Sequence, residues 1–252
     1  MRVDSITADT VSVVIPTLNE AANIGWVLER LPDCVDEVVL VDGRSTDGTV
    51  AAALTVRPDA RIVLERRPGK GAALRAGFAA ATGSIVVMID ADGSMHPDEI
   101  PRLVAKVAEG YDLVKGSRFM DGGGTADISR IRAAGNLVLL ALVNHRYDCR
   151  FTELCYGLMA MRRASIGVMG LRADGFEIET EIVLGSLRHG LRVAEVPSFE
   201  AARRNGCSNL RTFRDGSRVL REVLRGRPVL TLPAQPVITV AETTEAPSAV
   251  AV

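Results

Sequence analysis

The sequence lacks the long apolar runs and the cysteine spacings that mark membrane-spanning and disulfide-rich proteins. A spanning helix needs at least about 18 consecutive apolar residues, and the longest apolar candidate, 137–143, is much shorter. The four cysteines follow neither a zinc-binding nor a disulfide pattern, which predicts reduced thiols in a cytoplasmic protein. Residues 1–10 lack the apolar core of a signal peptide, so we interpret them as an N-terminal extension.

An excess of charge of one sign is also missing. The chain has 30 basic and 31 acidic residues and a net charge of −1, so no nucleic acid is expected as a partner. Lysine is scarce, because 27 of the 30 basic residues are arginine, the better bidentate ligand of phosphate. Apolar residues make up 47% of the 252, which is enough to bury the core of one large α/β domain.

The N-terminal half does contain a regular alternation of apolar strands and amphipathic helices. Strands are predicted at 11–16, 36–42, 61–65, 84–90 and 111–117, with helices between them at 20–31, 46–56, 69–83 and 97–109. Alternation at this interval predicts βαβ units, and therefore an α/β fold with a Rossmann-like, mostly parallel sheet covered by helices.

The second half changes character and predicts a smaller α+β portion. Its predicted helices are 127–144, 164–169, 176–188 and 210–225, and its predicted strands are 156–161 and 191–197. Residues 229–252 are rich in Pro, Ala, Thr and Val, which predicts a largely disordered tail in which 237–240 can add an edge strand. We therefore expect one domain over 11–228.

Polar side chains follow four of the predicted strands at the point where each strand ends. They are Asn19 and Glu20, Asp42, Asp90 and Asp92, and Arg118. In a parallel sheet these ends form one edge, and ligands bind along that edge. The sequence therefore predicts a functional site there.

The segment MIDADGS, 88–94, places two aspartates one residue apart. If the strand geometry continued, Asp90 and Asp92 would point the same way, and two adjacent carboxylates repel unless a cation or a shared proton lies between them. Mg²⁺ or Mn²⁺ is held in this manner, by one or two carboxylates together with substrate phosphates. An acid–base pair and a solvated turn are the competing interpretations, and the position at the sheet edge disfavours the turn.

Two further segments carry candidate ligands of a nucleotide. Asp42 ends the second strand in VDGRSTDGT and can accept hydrogen bonds from a nucleobase, while the residues after it cap the next helix. Lys70 lies between glycines at a predicted helix start, where a phosphate contact and a solvated lysine are equally supported. The basic segment around 203–211 indicates either a solvated face or a surface for phosphate or anionic membrane.

Six segments occur together in an order that resembles family 2 glycosyltransferases. They are VSVVIPTLNEAANI, VDGRSTDGT, GKGAALRAGFAAATG, DADGSMHPDEI, GSR and EVPSFEAARRNGCSNL. The resemblance covers about 11–226 and is greatest to the enzymes that transfer mannose or glucose to dolichyl or polyprenyl phosphate. It implies a GT-A fold with a nucleotide-binding half over about 11–118 and an acceptor half over about 119–228. It also implies a GDP- or UDP-linked sugar donor and a Mg²⁺ or Mn²⁺ cofactor.

The resemblance also implies roles for individual residues. The nucleotide-sugar pocket would be formed by Pro16, Asn19, Glu20, Asp42, Lys70, Asp90 and Ala91. Asp90 and Asp92 match the metal-binding motif, and Arg118 would stabilise the leaving group together with Asp92. The acceptor phosphate would meet Arg132, Arg203 and Ser208.

The chain departs from the family pattern at three positions. Gly43 and Arg44 replace an aspartate and a glycine of the usual DDGS, and Asn209 stands where the lipid-phosphate enzymes have lysine.

The expected reaction is inverting, metal-dependent transfer of a hexose, most simply to a polyprenyl phosphate, which is already an anionic nucleophile. A sugar hydroxyl as acceptor would need a carboxylate base, for which Glu177 and Glu179 are the candidates. The sequence also leaves open a nucleotidyltransferase and a non-catalytic nucleotide-sugar sensor. A peripheral contact of 131–143 with the cytoplasmic face of the plasma membrane is a further expectation.

Overall fold

The computed structural model describes residues 9–126, 128–207, 209–225 and 238–239. The strands are β1 Val11–Thr17, β2 Glu37–Asp42, β3 Arg61–Leu64, β4 Ile85–Met88, β5 Leu113–Ser117, β6 Gly124–Thr125, β7 Met159–Arg162, β8 Val193–Pro197, β9 Phe199–Glu200 and β10 Ile238–Thr239. The α-helices are α1 Ala21–Glu29, α2 Thr49–Val56, α3 Lys70–Ala80, α4 Ile100–Ala108, α5 Arg130–Tyr147, α6 Arg163–Met169, α7 Ile178–Arg188 and α8 Thr212–Arg225. A 3₁₀ turn, Pro97–Glu99, leads into α4.

Eight strands form one sheet in the order β10-β8-β5-β7-β4-β1-β2-β3. Every neighbouring pair is parallel except those of β7, which runs antiparallel to both β4 and β5. Strands β6 and β9 pair separately as a short parallel ribbon. The predicted α/β fold with a mostly parallel sheet is confirmed. Strand β7, from the second half of the chain, is inserted between β4 and β5 of the first half.

Helices cover both faces of the sheet, because successive side chains of the strands enter two different cores. On β1, Val13 and Ile15 pack with α1 and α4, whereas Val14 packs with α3 and α7 on the other face. Both faces of each strand are therefore apolar. For this reason the strands appear in the sequence as continuous apolar runs.

Several element boundaries differ from those predicted. The fourth strand ends at Met88, so Asp90 and Asp92 lie in the turn after it and do not follow strand alternation. The second helix begins at Thr49 because Gly48 before it takes a φ of +87°. Helix α5 begins after Ser129, whose side chain accepts a hydrogen bond from the N–H of Arg132.

Some sequence predictions fall wholly or partly outside the described residues. Residues 1–8 of the predicted N-terminal extension, Asp127 and Ser208 lie outside them, as does the predicted tail 229–252 apart from its edge strand β10. Within the part of the chain that the structure describes, no helix is long and apolar enough to cross a membrane.

Candidate active site

A cavity of about 460 Å³ opens at the carboxyl edge of the sheet, between the two halves of the chain. The predicted site residues that line it are Pro16, Glu20, Lys70, Asp90, Ala91, Asp92, Arg118, Arg132, Glu179 and Arg203. Three predicted residues, Asn19, Asp42 and Glu177, are not part of this lining. The structure therefore brings most of the predicted strand-end residues together with residues from the second half.

Asp90 is held by a lysine that also binds a carboxylate from α7. The Nζ atom of Lys70 lies 2.6 Å from Oδ1 of Asp90 and 2.7 Å from Oε1 of Glu179. Burial lowers the pKa of Lys70, but the two carboxylates outweigh it and keep the pKa above its usual range. Burial raises the pKa of Asp90 to about 6 against the attraction of Lys70, and the charges of Asp92 and Glu179 add to the rise.

The GKG sequence at the start of α3 makes this arrangement possible. A β-carbon at Gly69 or Gly71 would collide with the backbone of the segment 173–174, and Gly69 has a φ of +114°. The backbone N–H of Gly71 donates to the carbonyl of Asp174 at 2.9 Å. This close approach of the segment 173–174 to α3 places Glu179, at the start of α7, beside Lys70.

Asp92 is paired with an arginine from the loop after β9. Oδ2 of Asp92 lies 2.9 Å from Nη2 of Arg203, and Nη1 of the same guanidinium donates to Oε1 of Glu20 at 2.8 Å. The other oxygen of Asp92 accepts from the backbone N–H and the hydroxyl of Ser94. The two aspartates thus line one cavity but are bound by different cations.

Arg118 is buried in the cavity wall with 5% of its surface exposed. Its Nε donates to Glu153 at 2.8 Å, Nη1 to Glu200 at 2.9 Å and Nη2 to the carbonyl of Cys155 at 2.9 Å. Burial lowers the pKa of the guanidinium, and the two carboxylates more than reverse this. The leaving-group role stays a prediction, since at least three of the five N–H donors of the guanidinium are already bonded to the protein.

Asn19 fastens two loops of the nucleotide-binding half to one another, and Asp42 stabilises the turn of its own loop. Asn19 has a φ of +58°, and its Oδ1 accepts from the N–H of Thr46 at 2.8 Å. The carboxylate of Asp42 accepts from the N–H groups of Arg44 and Ser45 at 3.2 and 3.1 Å. Between these loops Gly43 lines the cavity.

Asn136, which no sequence pattern singled out, lies on the inner side of α5. It is 6% exposed and lines the cavity, and within the described part of the chain neither its amide nitrogen nor its amide oxygen has a hydrogen-bond partner. An unpaired buried amide is costly, so the arrangement indicates a residue that binds a ligand. The signal that could have found it is a polar residue at an inward position of the apolar middle of this helix.

Residues 12–169 match the family described as Glycosyl transferase family 2. Glycosyltransferase AglJ of Haloferax volcanii is 32% identical over 222 residues, which are 87% of this chain and 72% of that protein. The dolichyl-phosphate hexose transferase of the same organism is 28% identical over 222 residues, which are 87% of this chain and 94% of that protein.

A solved structure with a similar fold is glucosyl-3-phosphoglycerate synthase from Mycobacterium tuberculosis in complex with Mn²⁺, UDP and glucosyl-3-phosphoglycerate. It superposes with a TM-score of 0.69 at 30% identity, over 86% of this chain and 79% of that one. The same synthase has been solved with Mg²⁺ and UDP.

Proposed function

Because the chain belongs to glycosyltransferase family 2 and has the GT-A fold, we propose that it transfers a hexose from a GDP- or UDP-linked donor to a polyprenyl phosphate, with inversion. The observation that carries this proposal is that Asp90 and Asp92 line one cavity with the cations Lys70 and Arg203. The similarity to a dolichyl-phosphate hexose transferase supports the acceptor class, and the similarity to a UDP-binding synthase supports the donor class.

The carboxylates of this cavity fit a divalent cation that is shared with a diphosphate. Among the described residues, no three acidic, histidine or cysteine side chains are grouped so that they could hold a metal by themselves. Mg²⁺ and Mn²⁺ use one or two carboxylates and complete their coordination with substrate phosphates and water, so Asp90 and Asp92 would hold the cation. When bound, it would neutralise the diphosphate leaving group.

The side chains around the two aspartates supply the remaining positive charge. Lys70 lies within hydrogen-bond distance of Asp90, and Arg203 lies within hydrogen-bond distance of Asp92, so both can donate to the phosphate oxygens of a bound substrate. On the acceptor side, Arg132 and Asn136 of α5 face the same cavity. We assign these two residues to the acceptor phosphate.

The geometry favours an acceptor that needs no general base. Glu179 is ion-paired with Lys70, and Glu177 lies outside the cavity lining, so neither carboxylate is free beside the donor site. An ionised lipid phosphate can attack the anomeric carbon without losing a proton. A sugar hydroxyl would require Glu179 to be released from Lys70, or Glu177 to move into the cavity.

The test is a transfer assay with UDP- and GDP-hexoses, a short polyprenyl phosphate and Mn²⁺. We expect a glycosylated lipid phosphate from one of the donors, and no product when a chelator is in excess. Transfer only to sugar hydroxyls would contradict the proposed acceptor. Formation of a nucleotide sugar from a nucleoside triphosphate would indicate a nucleotidyltransferase instead, and tight donor binding without turnover would indicate a sensor.

Replacing Asn136 by Leu should make the protein more stable and less active. Since the buried amide lacks partners, an apolar side chain of similar size removes a desolvation cost, and we expect the free energy of unfolding to rise by about 1 kcal/mol or more. The KM for the lipid phosphate should rise, while the KM for the donor stays unchanged. Urea denaturation and initial rates measure the two effects, and a loss of stability would show that Asn136 is structural.

In addition to the contact expected at 131–143, we propose that α8 contacts the membrane that carries the acceptor. Phe213, Leu220 and Leu224 are 85%, 40% and 56% exposed and recur along one face of this helix. Replacing Phe213 and Leu224 by Ser should reduce co-sedimentation with anionic vesicles several-fold, because binding scales with the apolar area buried. Val168→Ser, at an exposed apolar residue of α6, serves as the control. Equal sedimentation of both variants with the wild type would exclude this surface.

A further inference from the structure

Side-chain cations already lie at the carboxylates that would bind a metal. Four carboxylates, those of Glu20, Asp90, Asp92 and Glu179, are bridged by only two cations, Lys70 and Arg203. The cluster therefore remains negative and attracts a divalent cation. Yet each of the two aspartates is already engaged in an ion pair.

Asp92 has no unoccupied oxygen in this arrangement. Oδ2 is paired with Nη2 of Arg203 at 2.9 Å, and Oδ1 accepts two hydrogen bonds from Ser94 at 2.9 and 2.7 Å. A cation that binds Asp92 through Oδ2 would lie beside the guanidinium and be repelled by it, so tight binding exchanges the guanidinium for the cation. Leaving a partly buried guanidinium with fewer acceptors opposes that exchange.

The loop that carries Arg203 is fastened in place by other contacts. The side chain of Asn205 donates to the carbonyl of Ala22 at 3.2 Å and to Oδ1 of Asn23 at 2.9 Å, and Asn23 donates back to the carbonyl of Asn205 at 3.2 Å. Arg204 stacks over the ring of Trp26 at 4.7 Å. The loop can therefore stay on α1 while the Arg203 side chain changes partner.

We propose that Arg203 makes cation binding at Asp92 conditional on a phosphate ligand. In the free protein its guanidinium is bound to Asp92 and Glu20. When a phosphate enters with the cation, the guanidinium passes to the phosphate oxygens, which bind it in the same bidentate manner as a carboxylate. Asp92 is then released to the metal. This inference rests on the proposed function, because it takes the metal and the phosphate-bearing substrates from there.

The test measures Mn²⁺ binding to the whole protein by electron paramagnetic resonance, without any turnover. The arms are Mn²⁺ alone, Mn²⁺ with UDP or GDP, and Mn²⁺ with an isoprenyl monophosphate or inorganic phosphate. Wild-type protein should bind Mn²⁺ weakly alone and more tightly with the phosphate that Arg203 recognises. Higher Mn²⁺ affinity with UDP or GDP assigns Arg203 to the donor, whereas higher Mn²⁺ affinity with the monophosphate assigns it to the acceptor.

Replacing Arg203 by Gln should tighten the binding of Mn²⁺ alone by about tenfold or more. This is the factor by which a neighbouring guanidinium changes the affinity of a carboxylate for a proton. The increase in Mn²⁺ affinity on adding phosphate should be correspondingly smaller. Arg203→Lys keeps the charge and should behave more like the wild type, and Arg66→Gln, at an exposed arginine outside the cavity lining, should leave Mn²⁺ affinity unchanged.

Two outcomes separate this inference from the proposed function. If Mn²⁺ binds the wild type only with a nucleotide, but Arg203→Gln binds Mn²⁺ alone no better than the wild type, the inference is wrong and the proposed function stands. If no variant binds Mn²⁺ in any arm, the proposed metal site fails together with the inference. Circular dichroism shows whether each variant is folded.

Discussion

Replacing Asp92 by Asn is expected to reduce turnover about a thousandfold while leaving the protein folded. Metal stabilisation of a leaving diphosphate is worth several kcal/mol, and each loss of about 1.4 kcal/mol slows the reaction tenfold. The asparagine oxygen can still accept the hydrogen bonds from Ser94, and Arg203 keeps Glu20 as its partner. The measurements are kcat with the donor that the transfer assay identifies, and a thermal melt.

Asp98→Asn is the matched control for this prediction. Asp98 lies in the same segment of the chain, but its side chain is 73% exposed and its partner is His96, away from the cavity lining. Its replacement should leave kcat unchanged. Full activity of the Asp92 variant in the presence of metal would exclude Asp92 as a metal ligand, and equal losses in the two variants would indicate a general effect on this segment.

The sequence was sufficient to predict the sheet but not the direction of all its strands. Strands covered on both faces are apolar throughout, and such runs alternate with helices in the N-terminal half, which fixes βαβ units. The run that becomes β7 looks the same in the sequence as a parallel strand. Its antiparallel direction follows from the path of the chain between Arg118 and Met159, which no local pattern contains.

For the site, the sequence identified the acidic residues better than their partners. Asp90 and Asp92 were found from their position after a strand, and this position does bring them to one cavity. The expected reason was wrong in detail, because β4 ends at Met88 and the turn, not strand alternation, places both side chains.

The partners that bind the predicted residues come from distant parts of the chain. Glu153 and Glu200, which hold Arg118, are 35 and 82 residues away from it, and Glu179 is 109 residues from Lys70. Sequence periodicity reports which face of an element is apolar. It carries no information about which loop from the other half closes over that face.

Lys70→Met is expected to lower the free energy of unfolding by about 3 kcal/mol near pH 8, because it leaves two largely buried carboxylates without their cation. The side chain of Lys70 is only 9% exposed, and it is bonded to both Asp90 and Glu179. Methionine has a similar length and no charge, so packing is largely kept. Lys106→Met, which removes one partner of an ion pair with the half-exposed Glu109, should cost much less.

The pH dependence distinguishes a lost ion pair from lost packing. Asp90 already has a pKa of about 6, raised from its usual 3.8 chiefly by burial, and removing Lys70 raises it further. Between pH 6 and that higher pKa, the folded variant holds a proton that the folded wild type has lost, so the variant loses stability relative to the wild type as the pH rises through this range. The loss in free energy of unfolding relative to the wild type should therefore be smaller at pH 5 than at pH 8 in urea denaturation, and Glu179 lacks its cation at both. A loss of unfolding free energy of the same size at both pH values would mean that Lys70 stabilises the protein through its aliphatic contacts. The pKa of Asp90 would then not depend on the charge of Lys70.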